Sequence, residues 1–152
     1  MKKQIFVMFL LSLLTLTAHA DRTVRATDAG IRFTGRVERL ADGSVRYDCV
    51  STYVQTAFTG TSISVRLGEE GESYHQVFID GKLLGKLHFT GKEPHDVTLA
   101  KGLSKGQHVL RLQKVTEGEF GRTPLYSFTT TGTGTFKAVA PKGRLIEIIG
   151  DS

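Results

Sequence analysis

The sequence has no tryptophan and one cysteine in 152 residues. A single thiol excludes an intrachain disulfide framework, so core packing must hold the fold. Cys49 without clustered histidines gives no support for a structural zinc site, and it reads as a small buried residue on a strand. After the amino-terminal apolar run, no window of ten or more residues places apolar side chains at i, i+3, i+4 and i+7, which leaves no amphipathic helix. There is no basic run interleaved with aromatics, and nucleic acid is therefore a poor partner. No motif calls for a cofactor or a metal.

What is present begins with Lys2 and Lys3, the apolar stretch Ile5 to Leu16, and Ala18-His19-Ala20 before Asp21. This is the pattern of a signal peptide over residues 1–20, cleaved after Ala20, and the apolar stretch is too short to span a bilayer. It predicts a secreted or periplasmic product that keeps no membrane segment after cleavage. Loss of Lys2 and Lys3 lowers the formal charge from +5 to +3, so part of the basic character belongs to the signal. The remainder is one domain's worth of chain.

Period-2 alternation recurs through this remainder. Ser62 to Leu67 places Ile63, Val65 and Leu67 on one face; Tyr53 to Phe58 sets Val54 and Phe58 against Tyr53 and Ala57; His108 to Val115 sets Leu110 and Leu112 against Arg111 and Gln113. Asp42-Gly43 and Asp80-Gly81 lie between strand-like runs and suit type I′ hairpin turns, because Gly accepts positive φ and Asp tolerates it. Further turns are expected at Gly68 to Gly71, Thr90 to Pro94 and Lys101 to Gln107. The spacing predicts an all-β fold, an antiparallel, jelly-roll-like β-sandwich. Thr129 to Thr135 reads as an exposed strand or a flexible connection.

Arg144 to Ile149 is different in kind, because it is apolar on both faces apart from Glu147. A strand buried on both sides belongs to a parallel sheet covered by helices. It is expected to open an α/β domain, with Pro141-Lys142-Gly143 as the boundary. It runs into Gly150-Asp151-Ser152, and a serine at the carboxyl end of such a strand lies where α/β enzymes bind ligands. There its hydroxyl can act as a nucleophile once a histidine base is in reach, and its N–H can form part of an oxyanion hole.

The stretch from Ile31 to Ser152 resembles the N-terminal β-sandwich of the family 2 carbohydrate esterases running into the first block of their SGNH (GDSL-type) hydrolase domain. The residues that carry the resemblance are Phe58-Thr59-Gly60-Thr61-Ser62-Ile63-Ser64-Val65, Tyr74 with Val77-Phe78-Ile79-Asp80-Gly81, Gly106 to Leu112 with Lys114 and Glu117, and Pro141 with Arg144 to Ser152. The resemblance implies a signal peptide (1–20), an N-terminal segment (21–30), a β-sandwich (31–140), and a linker with the first strand of a truncated SGNH domain (141–152). It implies an exported enzyme that removes acetyl groups from plant polysaccharides or oligosaccharides. Ser152 matches the family's nucleophile and Asp151 the residue that supports the nucleophile loop. The family's oxyanion-hole Gly and Asn and its late catalytic His fall after the position of Ser152, so the chain by itself is expected to be inactive and to depend on the SGNH domain as its partner. The alternative is a non-catalytic carbohydrate-binding module.

Other residues have plainer readings. His108 begins a strand and reads as a packed or surface histidine. Most Phe fill the core, whereas Tyr53 and Tyr74 are candidates for a sugar-contact surface. Glu69-Glu70 with Glu72 reads as a solvated acidic turn.

Overall fold

The computed structural model describes residues 20–141. Residues 1–19 of the expected signal peptide, the expected strand Arg144 to Ile149, and Gly150 with Asp151 and Ser152 lie outside the described residues. Within them the fold is all strand: β1 (Arg22–Arg25), β2 (Arg32–Thr34), β3 (Glu38–Arg39), β4 (Val45–Tyr47), β5 (Tyr53–Thr59), β6 (Ser62–Leu67), β7 (Glu70–Ile79), β8 (Lys82–Thr90), β9 (His95–Lys101), β10 (Gln107–Lys114), β11 (Gly121–Thr130) and β12 (Phe136–Lys137). Every pairing is antiparallel.

The strands form one sheet curled into two layers. In the first layer β1 and β4 flank one side of β11, with β3 outside β4, while β6 and then β9 lie on the other side. In the second layer β2 and β12 flank β5, followed by β10, β7 and β8. The layers join where Gly71 pairs with Gly121. The expected sandwich is therefore observed.

Alternation fills the space between the layers. Phe58, Ile63, Leu67, Leu110, Leu112, Leu125 and Phe128 are fully buried, and each side chain of this kind contributes about 1.5–3 kcal/mol on burial. The Asp80-Gly81 hairpin has φ values of 53° and 78°, as a type I′ turn requires. Asp42-Gly43 differs from the expected I′ turn. Gly43 N–H donates to Leu40 O at 3.0 Å, and only Gly43 (φ 83°) is left-handed, which is a three-residue loop with a terminal Gly bulge. The carboxylate of Asp42 decides this, because it accepts from Ser44 N–H and Oγ–H at 2.9 and 2.7 Å. The segment from Thr129 is strand through Thr130 and connection afterwards. Cys49 lies at a bend after β4 rather than on a strand. Burial, then a contact to Asp48, pushes its thiol pKa up, away from reactivity.

The acidic turn is the main correction. Glu69 is fully buried, and so are Ser73, His75, Lys114 and Thr123. These groups gather beside the layer junction. Ser73 Oγ–H and Thr123 Oγ1–H each donate to Glu69 Oε2 at 2.6 Å, and Lys114 Nζ donates to Thr123 Oγ1 at 3.3 Å, 3.9 Å from Glu69 Oε1. Because Ser73 spends its hydrogen on Glu69, its oxygen is left to accept from His75 Nδ1–H at 3.4 Å, and His75 Nε2 accepts from Tyr47 Oη–H at 3.0 Å. One chain of donors thus ends on one carboxylate. Gly121 is needed here, because a Cβ would overlap Glu69 Oε1 and lie 2.9 Å from the Glu72 main chain.

Removing one member of a buried ion pair strands the other charge and costs about 3–5 kcal/mol. Lys114→Met is expected to lose about that much stability in urea denaturation, and Glu69→Gln combined with Lys114→Met should recover most of it.

Two histidines set opposite pH limits. Burial, reinforced by Lys114, pushes His75 down to about 3, so the fold holds it neutral. Its contribution is complete above the unfolded value of about 6.5 and is lost as pH falls from there. His108 presents Nδ1 to Asp80 Oδ2 at 2.7 Å and Nε2 to Ser104 O at 3.0 Å. Both partners are acceptors, so the imidazolium is favoured, and the hydrogen bond that His108 donates to Asp80 chiefly raises the His108 pKa. That contribution is complete below about 6.5 and is lost as pH rises through the raised folded value. NMR titration should find the His108 midpoint above about 6.5 and His75 still neutral at about pH 5. His108→Gln should flatten the alkaline limb of a thermal-stability profile.

Candidate functional site

The second layer turns its inner face to the core and leaves its outer face open. Alternation decides what stands on that face. β5 sends Val54, Thr56 and Phe58 inward, and Tyr53 and Gln55 outward. β10 buries Leu110, Leu112 and Lys114, and half-exposes Arg111 and Gln113. β7 buries Ser73, His75, Val77 and Ile79, and turns Tyr74, Gln76 and Phe78 outward.

Register then aligns these side chains across the strands. One row runs Arg32, Gln55, Arg111, Phe78, Leu83; the next runs Thr34, Tyr53, Gln113, Gln76, Lys86. At about 4.8 Å per strand, five strands span about 19 Å. The rows carry Arg32, Arg111 and Lys86 and no Asp or Glu.

The aromatics are not bare. The Arg111 guanidinium lies 4.7 Å from the Phe78 ring centre and 5.0 Å from that of Tyr53. Its Nη2–H donates to Gln113 Oε1, and its Nε is buried without a partner among the described residues. Tyr74 stacks on His88 at 4.6 Å and 14°, with Lys86 Nζ 4.7 Å from the ring centre. His88 Nε2 meets Glu72 Oε1 at 3.0 Å. Tyr53 and Tyr74, the expected sugar-contact candidates, therefore share one exposed face, and each lends its ring to a cation.

Two concavities lie elsewhere. An open cleft of about 570 Å³ at one end is lined by Thr59 to Thr61, Lys105, Gly106 and Thr131 to Gly134. Its Thr61 and Thr131 hydroxyls bond each other at 3.2 Å. A second, of about 370 Å³, holds Arg46 and Arg122, which meet Glu38 at 2.7 Å and Asp48 at 4.0 Å. Neither brings together a nucleophile and a base. Among the described residues no group of three or more His, Cys, Asp or Glu could hold a metal ion, and no helix is long and apolar enough to cross a membrane.

The described histidines are all engaged. His75 is sealed in the core beside Ser73, where no substrate reaches it. His108 is held between Asp80 and Ser104, His88 pairs with Glu72, and His95 Nδ1 lies 3.1 Å from Glu93 O. Arg111 and Phe78 went unnoticed as site residues. Alternation had placed Arg111 on the polar face of its strand, but only the register of β5, β10 and β7 sets it between Tyr53 and Phe78.

Comparison with known proteins gives the same architecture a family. The model of the N-terminal domain of carbohydrate esterase 2 matches residues 33–139. The chain is 30% identical over 89% of its length to "Cellulase/esterase CelE" of Acetivibrio thermocellus, and 28% identical over 72% to "Acetylxylan esterase / glucomannan deacetylase" of Cellvibrio japonicus. It spans 16% and 29% of those curated relatives. Its fold superposes on a family two carbohydrate esterase from Cellvibrio japonicus with a TM-score of 0.74 at 22% identity, covering 83% of this chain and 38% of that one. Since the match runs through nearly the whole sandwich, the chain belongs to the carbohydrate esterase 2 N-terminal family.

Proposed function

We propose that this chain is the exported, N-terminal accessory part of a serine esterase that removes acetyl groups from plant polysaccharide. The observation that carries the reading is the family match over residues 33–139, which ends just before the Arg144 to Ser152 block. The relatives' names, a cellulase/esterase and an acetylxylan esterase / glucomannan deacetylase, support the substrate class. Lys2, Lys3, the apolar run and Ala18-His19-Ala20 support export with cleavage after Ala20. The domain bounds of this reading are signal peptide 1–20, an N-terminal segment 21–30 whose β1 joins the first layer, sandwich 31–140, and linker with the first hydrolase strand from 141.

In this reading Ser152 attacks the acetyl carbonyl and Asp151 supports the turn that presents it. The attack needs a histidine to take the hydroxyl proton and N–H donors for the oxyanion. The described histidines of the sandwich are committed or buried, so the base is supplied by a following SGNH domain. The sandwich by itself is an accessory body.

Acetate release from acetylated xylan by the product of the intact gene should be lost on Ser152→Ala. These 152 residues alone should not hydrolyse p-nitrophenyl acetate above background. Acetate release that survives Ser152→Ala would overturn the assignment, as would Ser152-dependent turnover by the chain alone.

A further inference from the structure

We infer that the outer face of the β2-β5-β10-β7-β8 layer binds the carboxylate of a uronate-bearing polysaccharide, with Arg111 as the anchoring side chain. The inference rests on the polysaccharide reading above and narrows it from acetylated glycans in general to acidic ones.

Arg111 is held as a preorganised fork. Phe78 and Tyr53 lie against the guanidinium at 4.7 and 5.0 Å and restrict its plane. Among the described residues its hydrogen bonding is limited to Nη2–H donating to Gln113 Oε1. Nε is buried, so the donors left for a ligand are the remaining N–H groups on Nη1 and Nη2, which can meet a carboxylate end-on in bidentate fashion as a lysine ammonium cannot. The two rows named carry no acid, and Asp80, opposite Val109 in the neighbouring row, is already taken by His108 and the Val109 N–H.

The neighbours extend the match. Arg32 stands in the same row two strands away, about 10 Å along the face. Lys86 stands in the next row, two strands from Gln113. Gln55, Gln76 and Gln113 add neutral amides suited to sugar hydroxyls. Because Arg111 and the His88–Lys86 pair occupy faces of the tyrosine rings, charge rather than ring stacking is what the face offers.

A packed domain interface would look different, since the core of such an interface is apolar and depleted of charge. Of the large exposed hydrophobics, Leu83 stands opposite Phe78 at the β8 end of the first row, with Leu84 next to it, while Val50 lies in the loop before β5 and Phe120 in the loop before β11, so apolar exposure on this face is confined to its β8 edge. The centre of the face is cationic and amide-rich, the composition a hydrated acidic glycan fits.

Affinity electrophoresis of the full chain in gels containing glucuronoxylan tests this, against the same polymer after chemical reduction of its carboxyl groups to alcohols. Retention is expected on the first and not on the second, and it should weaken as salt is raised. Arg111→Gln should weaken retention at least tenfold, Arg111→Lys should not restore it, and Arg32→Gln should weaken it several-fold. Thermal melts of each variant separate lost binding from lost folding, and the reduced polymer tests wild type with no substitution at all. Equal retention on the reduced polymer would overturn the uronate claim and leave the polysaccharide reading standing. No retention on either polymer would overturn the binding face while leaving the Ser152 test untouched. Retention that survives Arg111→Gln in a folded variant would also overturn it.

Discussion

The register of β10 between β5 and β7 is the constraint on which the rest depends. Strand side chains alternate with a strict period of two, so a one-residue slip would exchange every inward residue for its outward neighbour. In the observed register Leu110 and Leu112 complete the core, Lys114 reaches Glu69 and Thr123, and Arg111 emerges between Tyr53 and Phe78. Core, buried ion pair and outer face are three readings of one strand. A slip would drive Arg111 and Gln113 into an apolar interior and leave Glu69 without its cation, so the penalties against misregister reinforce one another.

The buried polar cluster has a matching logic. With one cysteine, no disulfide ties the two layers together. At the junction, where Gly71 pairs with Gly121, residues of β7, β10 and β11 and the segment before β7 converge on a single carboxylate. Replacing the whole set by apolar residues could be neutral in stability, whereas replacing part of it is not. What the set supplies is direction, because Ser73, Thr123 and His75 each have one consistent donor and one acceptor, and Tyr47 donates into the chain.

Much of this was legible in the residues. Alternation at Ser62 to Leu67 and His108 to Val115, with the Asp-Gly pairs, gave the strands and both hairpins, and the quoted motifs gave the family. The turn at Asp42-Gly43 escaped because the same dipeptide closes different loops, and side-chain acceptance from Ser44 selects between them. Glu69 escaped for a deeper reason. Local sequence shows three acids near a turn, but Glu69 is buried only because Ser73, Thr123 and Lys114, up to 54 residues away, bring donors to it. Arg111 is a similar case: its strand showed that it pointed outward, and two other strands determined what it met.

The absence of tryptophan bears on how a domain of this family would hold sugar. Broad indole faces are the usual means of stacking a pyranose ring, and this chain has none. Its tyrosines on the open face give ring area to Arg111, His88 and Lys86 instead. A cation over an aromatic ring is worth about 0.5–1 kcal/mol when exposed, enough to fix a side chain without holding a ligand by itself. The aromatics on this face therefore act on their own cations and orient them, and the binding inferred above would rest on charge rather than on ring stacking.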